Sequence, residues 1–246
     1  MAKVNINPHE RVDDLHRNGY LLIQDPSKFC FGIDAVLLAS FAVAKQGERV
    51  MDMCTGTGVI PILMEAKTEG KSFTGIEIQP ESVEMAQRSV LLNDLQDKIN
   101  ICQGDIKELD RYFGLGSFDV VTCNPPYMQS GGGMVNEYTA KAVARHEILC
   151  TLEDVVASAD KMLRVGGRLY MVHRPTRLPE IFSSAVNHHL EPKRMRLVHT
   201  YINKEPTLVL IEFIKGGRPM LKVEPPIIIY NADGEYTSEI KDIYYN

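Results

Sequence analysis

The sequence contains no stretch able to span a bilayer. Its longest near-apolar run, Ala35 to Ala44, is ten residues and carries Ser40; a spanning helix needs roughly 20. The opening segment Met1–Asp14 has no apolar core, so no secretory leader is expected. Tryptophan is absent. The five cysteines (Cys30, Cys54, Cys102, Cys123 and Cys150) are odd in number and include no C-x-x-C pair. That argues against a disulfide framework or a zinc site and predicts reduced thiols in a cytoplasmic protein with no metal. No repeat and no low-complexity linker interrupts the chain. What is present is a globular mix of 44% hydrophobic and 24% charged residues over 246 positions. It excludes a collagen, a coiled coil and a disordered tail, and it sets the size at one large domain, or one with a small appendage.

Charge is unevenly spread. The net charge of −5 speaks against nucleic acid. Yet the stretch from Arg164 to Lys222 holds eleven Lys and Arg against four acids, Glu180, Glu191, Glu205 and Glu212. A basic region on an acidic body is a plausible polyanion footprint. The candidate contacts are Arg174, Arg177, Lys193, Arg194 and Arg196. The plainer reading is an unevenly charged solvated surface.

Hydrophobic spacing predicts alternating strands and helices. Strands are expected at Arg49–Met53, Ser72–Ile78, Ile99–Gln103, Phe118–Cys123, Arg168–Val172, Leu197–Ile202 and Thr207–Ile214. Between them fall helices over Gly58–Thr68, with Pro61 in the first turn, from Pro80, and, shorter, to Phe113. A capping box at Thr151-Leu152-Glu153-Asp154 opens a helix to about Leu163, closed off by Gly166-Gly167, and Leu178 to Val186 marks another. The expected fold class is α/β: a Rossmann-like, mostly parallel sheet with helices on both faces. The expected division is an N-terminal extension over 1–48, packing on a core domain over 49–222, and a C-terminal tail over 223–246.

Chemistry concentrates at strand ends. Asp52-Met53-Cys54-Thr55-Gly56-Thr57-Gly58 runs from a strand into a helix, and its glycines let a ligand approach the backbone. The dinucleotide pattern G-x-G-x-x-G fails, because Pro61 stands where the third glycine belongs. Two further acids, Glu77 and Asp105, close the next two expected strands. Acids at the carboxyl ends of three consecutive strands lie in the crevice where such sheets bind ligands. Glu77 suits two ribose hydroxyls, Asp105 an adenine amino group. Taken singly, each acid is more often a helix cap or a surface carboxylate.

Asn124-Pro125-Pro126-Tyr127 follows the fourth strand of this alternation. The prolines end the hydrogen-bond ladder and leave their carbonyls free. The side-chain oxygen of Asn124 and the carbonyl of Pro125 are placed to receive both hydrogens of a planar NH2 group. Tyr127 offers a face on which a flat substrate stacks. Fixing both hydrogens favours the rehybridised nitrogen that attacks a methyl group. A proline turn that merely ends a strand is the plainer alternative.

Together, Asp52, Gly56-x-Gly58, Glu77, Asp105 and Asn124-Pro125-Pro126-Tyr127 resemble the class I S-adenosylmethionine-dependent methyltransferases that act on planar amines. Phe29-Cys30-Phe31-Gly32-Ile33-Asp34-Ala35, Ala144-Arg145-His146-Glu147, and the tail Pro225-Pro226-Ile227-Ile228-Ile229-Tyr230 with Gly234-Glu235-Tyr236-Thr237 resemble a narrower group, the bacterial tRNA(Val) adenine-N6 methyltransferases. The resemblance implies a seven-stranded sheet with a reversed last strand, S-adenosylmethionine as donor, and a flipped-out adenine of tRNA, at position 37, as acceptor. It places Phe31, Asp34, Asp52, Cys54, Thr55, Gly56, Gly58, Glu77, Asp105, Ile106 and Asn124 with the donor. Asn124, Pro125, Pro126 and Tyr127 carry the chemistry, and Tyr127, Lys141 and Arg145 join the basic segment on the acceptor. Cys54 departs from the pattern, standing where the first glycine is usual; a tight turn is expected there. Two other acceptors remain open, guanine-N2 in rRNA and a release-factor glutamine, as does an inactive RNA-binding protein. The 23 residues from Met128 to Cys150 read as a lid that orders on RNA or as a surface loop.

Overall fold

The computed structural model describes residues 4–28, 30–125 and 150–245. Tyr127, Lys141, Arg145 and nearly all of the expected lid, Met128 to Leu149, lie outside them.

The strand–helix alternation builds a single large sheet. Its strands are β3 (Arg49–Met53), β4 (Ser72–Glu77), β5 (Ile99–Gln103), β6 (Phe118–Cys123), β7 (Leu163–His173), β8 (Leu190–His199) and β9 (Pro206–Lys215), with two short additions, β10 (Lys222–Val223) and β11 (Ile227–Ile228). The order is β10-β8-β9-β7-β6-β3-β4-β5, with β11 beside β8. β9 is antiparallel to both of its neighbours, and the other pairings in this sheet are parallel. This is the expected α/β class with its reversed last long strand. The interior strands are apolar on both faces because helices cover both, as parallel sheets require. One face buries Val50, Phe73, Val120, Tyr170 and Val172 under α1 (Ile33–Phe41), α2 (Val59–Lys67) and α3 (Pro80–Leu92). The other buries Met51, Met53, Val121, Cys123 and Met171 under α4 (Leu152–Met162) and α5 (Leu178–Asn187). The capping box of α4 forms as expected: Thr151 accepts from the Asp154 amide, and Asp154 accepts from the Thr151 amide.

Two strands differ from expectation. β7 begins at Leu163 rather than Arg168. Gly166, at a left-handed φ of 77°, bends the chain without breaking it, and the pairing with β6 shifts register between Phe118 and Val120. β8 begins at Leu190 rather than Leu197, so the most basic segment is a strand. Charges at Lys193, Arg194 and Arg196 and a bulge at Pro192/Arg194 obscure its alternation.

The ends of the chain are tied to the core. β1 (Arg11–Asp14) and β2 (Leu21–Gln24) form an antiparallel hairpin against α3. The amides of Leu21 and Ile23 donate to Asn93 Oδ1 and Ser89 Oγ at 2.8 and 3.0 Å. Those bonds satisfy a strand edge that would otherwise be open. Arg88 grips Glu10 with two hydrogen bonds of 2.7 and 2.6 Å, which hold the Glu10 carboxyl down at about 2. At the other end, β11 extends the sheet and α6 (Ser238–Tyr245) packs on α1. Arg17 donates to the carbonyls of Asp242 and Ile243, and Lys67 to that of Ile243, all at 2.8 Å. Cations there complement the negative end of the helix dipole.

Candidate donor and acceptor site

The site lies at the carboxyl edge of the parallel strands. Asp52 is the fourth residue of β3, 1% exposed. Thr122, on β6, donates to its Oδ1 at 2.6 Å. Asp52 Oδ2 and Thr55 Oγ1 are both buried, and the Thr55 hydroxyl is near enough to the carboxylate to steady it.

Burial pushes the Asp52 carboxyl up to about 7, the Thr122 and Thr55 hydroxyls opposing the shift and the negative Glu77 adding to it. The folded protein therefore holds this proton more tightly than the unfolded chain, whose aspartates titrate near about 3.9. Asp52 costs no stability below that pH, and the cost grows as pH rises to about 7. Above pH 7 the full cost is on the order of 4 kcal/mol. Asp52→Asn is thus expected to raise the melting temperature at pH 8 and to change it little at pH 4. Melts at the two pH values check this; an equal shift at both would trace the effect to packing instead.

Glu77 ends β4 and is 5% exposed. Its Oε2 accepts the Gly56 amide at 2.9 Å, and its Oε1 accepts the Gln79 amide at 3.0 Å. The carboxylate thus holds the glycine turn in shape and keeps further lone pairs for donors. The turn is compact: Cys54, Gly56 and Gly58 all have positive φ, at 59°, 56° and 82°. The tight turn expected at Cys54 is present, in a conformation that a glycine adopts more cheaply. A side chain at Gly56 would meet open space, so the backbone there is accessible to a ligand; one at Gly58 would press on Ala86 at 3.2 Å.

Asp105 follows β5 and caps the 3-10 helix Ile106–Arg111, accepting the Lys107 amide at 2.9 Å. Its second oxygen is 3.4 Å from Lys107 Nζ. The cap is the plainer role, and it leaves the carboxylate partly exposed at the edge. Ile106 beside it is buried. Phe31 and Asp34 flank the start of α1. The Phe31 amide donates to Gln24 Oε1 at 2.9 Å, and its ring lines a small crevice with Leu63, Ile243 and Tyr244.

Met53 pairs with Cys123 in the β3–β6 register, so continuing that register sets Asn124 beside the glycine turn. Asn124 is half-buried and Pro125 buried. Pro126 and Tyr127 lie outside the described residues. Thr122 is the residue that sequence reasoning missed. It lies two residues before Asn124, hence on the same face of its strand, and that alternation was the available signal.

The cations of the basic segment are dispersed. Arg174 and Arg177 follow β7 at the same edge as Asn124. Arg174 donates to the Thr207 carbonyl at 3.3 Å, and Arg177 pairs with Glu180 at 2.6 Å. The neighbouring His173 is buried and neutral, its pKa held down to about 4 by desolvation and Arg177. Lys193 lies toward the opposite edge, where it donates to the Arg218 carbonyl at 2.9 Å. Arg194 stacks 4.3 Å over Phe41 and lies 3.4 and 3.3 Å from Glu212 and Glu224. Arg196 donates to the Pro225 carbonyl and pairs with Glu239, both at 2.8 Å. Much of the expected polyanion footprint therefore fastens the tail to the sheet. Arg194→Ala is expected to cost about 1–3 kcal/mol of stability by stranding Glu212, whereas Lys193→Glu should leave the melt unchanged. Thermal melts of the two variants separate these outcomes.

Acids at the ends of adjacent parallel strands, a glycine turn, and one reversed strand near the edge define a Rossmann-like nucleoside-binding protein. The chain belongs to the methyltransferase small domain family, which matches residues 28–194. It is similar to a tRNA1(Val) (adenine(37)-N6)-methyltransferase of Porphyromonas gingivalis, 29% identical over 85% of this chain and 84% of that protein. A protein of the same name from Haemophilus influenzae is 26% identical over 90% of this chain and 94% of its own length. Among solved structures, a predicted O-methyltransferase from Agrobacterium tumefaciens superposes with a TM-score of 0.70 at 23% identity, covering 86% of this chain and 95% of that one. Pyrococcus horikoshii TYW2 in complex with MeSAdo gives 0.59 at 16% identity, over 86% and 73%. These two likenesses concern the fold. Among the described residues no cluster could hold a metal ion, and no helix is long and apolar enough to cross a membrane.

Proposed function

We propose that the protein transfers a methyl group from S-adenosylmethionine to the exocyclic N6 amine of an adenine in tRNA, at position 37 of a valine tRNA. One observation carries the reading: Asn124 and Pro125 follow β6 directly beside a glycine turn that a buried carboxylate holds open. The relatives' names favour adenine over guanine and over a glutamine side chain. A tRNA acceptor would place the protein in the cytoplasm.

The residues fit the donor. Glu77 has lone pairs left for the ribose hydroxyls, Asp105 stays partly exposed beside its Lys107 contacts and can meet the adenine amine, and the Gly56 backbone leaves room for the ligand. When bound, S-adenosylmethionine supplies an electrophilic methyl carbon. The chain's own part is to orient the nucleophile. Asn124 Oδ1 and the Pro125 carbonyl accept the two amine hydrogens, so the nitrogen lone pair leaves conjugation with the ring and points at the donor. The product ammonium is acidic enough to lose its proton to water without a dedicated base.

We place the acceptor-side footprint first on Arg174 and Arg177, which share Asn124's edge, with Lys141 and Arg145 joining them. The test is mass spectrometry of nucleosides from tRNA incubated with the protein and labelled donor. Label in N6-methyladenosine is the expected result; label in N2-methylguanosine, or in protein only, would reject the reading. Tyr127 supplies a second check. Tyr127→Phe should keep most activity because stacking survives. Tyr127→Ala should lose about 1–3 kcal/mol of acceptor binding, roughly 5- to 150-fold, with an unchanged melt. A large drop in melting temperature would show instead a ring packed into the core.

A further inference from the structure

Two of the thiols meet at the donor turn, and neither is needed as a nucleophile or base in methyl transfer. The sulfurs of Cys54 and Cys150 lie 3.9 Å apart although the residues are 96 positions apart in sequence. Both side chains are half-buried, while Cys123 is buried beside them. Cys54 sits at φ 59° between β3 and Gly56, and Cys150 directly precedes Thr151, the N-cap of α4. The contact therefore joins the turn that shapes the donor crevice to the start of a helix on the far face of the sheet.

We propose that Cys54 and Cys150 form a modification site at which a small peroxide makes a disulfide and switches off donor binding. The inference rests on reading the glycine turn as the donor site. The chemistry balances with hydrogen peroxide as the oxidant. One sulfur attacks a peroxide oxygen, the O–O bond breaks, and water leaves a sulfenic acid. The second sulfur then attacks the first, the S–O bond breaks, and a second water carries away the remaining oxygen. Two thiols are oxidised, and one peroxide is reduced to two waters.

The bond requires the sulfurs to close to about 2.05 Å. That draws Cys54 toward α4. The next two residues bear the turn's fixed contacts: the Thr55 amide donates to Ile76 O, and the Gly56 amide to Glu77, both at 2.9 Å. Pulling Cys54 away loosens both and tilts the Glu77 carboxylate out of place. Contact with Cys123 and burial hold the Cys54 thiol well above its ordinary range, with the Cys150 contact opposing them, while contact with Cys54 and burial push Cys150 up. The pair is therefore protonated near neutrality and oxidises slowly there, faster as pH rises because the thiolate is the nucleophile.

The test begins with the full-length reduced protein titrated with S-adenosylmethionine by calorimetry. Failure to bind would reject the donor reading, while the peptide map that follows still decides the thiol pair. The protein is then treated with hydrogen peroxide at pH 8, alkylated, and digested without reduction. A cross-linked peptide joining Cys54 to Cys150 is expected, with donor affinity lowered about tenfold or more and restored by dithiothreitol. Cys150→Ser should bind donor normally and keep its affinity after peroxide; Cys150→Ala serves if the serine variant folds poorly. A Cys54–Cys123 cross-link, no cross-link, or a cross-linked protein with unchanged affinity would overturn the proposal.

Discussion

Asn124→Ala is expected to cut methyl transfer by about 100- to 1,000-fold, the cost of losing one aligned polar group in a reacting site. Donor affinity should change by no more than about twofold, because Asn124 would meet the donor only near its methyl group, away from the ribose and adenine. The reason is a division of labour along the edge of the sheet. The donor turn is shaped by Glu77, by the Thr55 amide on Ile76 O and by buried Asp52 with Thr122. None of these contacts uses the Asn124 side chain. Asn124 instead follows β6, and in the proposed reading its oxygen and the Pro125 carbonyl receive the incoming amine. Asn124→Asp keeps an acceptor oxygen and should retain more activity than the alanine variant, though its charge changes the field at the methyl group. Single-turnover transfer to tRNA, run beside calorimetry with the donor, measures both quantities. If donor affinity falls as steeply as turnover, Asn124 belongs to the donor site and its acceptor role is wrong.

Glu77→Ala should weaken S-adenosylmethionine binding by about tenfold or more, since each charge-assisted acceptor it removes contributes about 1.5–3 kcal/mol. Part of that loss would come from the protein itself. The Gly56 and Gln79 amides both point at this carboxylate, and alanine leaves them without an acceptor. Glu77→Gln separates the two contributions. It keeps one oxygen for a backbone amide but loses the second anionic acceptor and the negative charge. An intermediate affinity for the glutamine variant with a near-normal melt would assign the remaining loss to the ribose hydroxyls. Unchanged donor affinity in Glu77→Ala would remove Glu77 from the donor site.

Much of this arrangement is legible in the sequence, for physical reasons. β3, β5 and β6 occupy the expected spans: β3 and β6 are interior and mostly apolar, while the edge strand β5 alternates Ile99 and Ile101 with polar neighbours. The acids at strand ends are equally visible, since nothing but a polar edge follows each run. β8 was half hidden because Arg194 and Arg196 sit in it. Their ion pairs with Glu212, Glu224 and Glu239 make charge tolerable in a strand, and those partners come from distant parts of the chain. The same distance explains why a cationic stretch suggested a polyanion footprint. Pattern reads charge along the chain, whereas neutralisation happens across the fold. Glu77 was legible as an acid at a strand end but not as the brace of its own turn, because backbone amide directions leave no trace in residue spacing.

The reversed strand has a consequence for the order of assembly. β9 lies between β7 and β8, so β8 cannot join the sheet when it leaves the ribosome. It must wait for a strand synthesised after it. Until then β7 presents an open edge of unpaired amides and carbonyls, the kind of surface on which chains pair with one another. Arg194 waits as well, since Glu212 and Glu224 both emerge later than it does. During that interval the positive charges of β8 are exposed and unneutralised, which keeps this late-docking strand soluble and apart from its copies. Cations that end as internal fasteners would thus first act as a guard against misassembly.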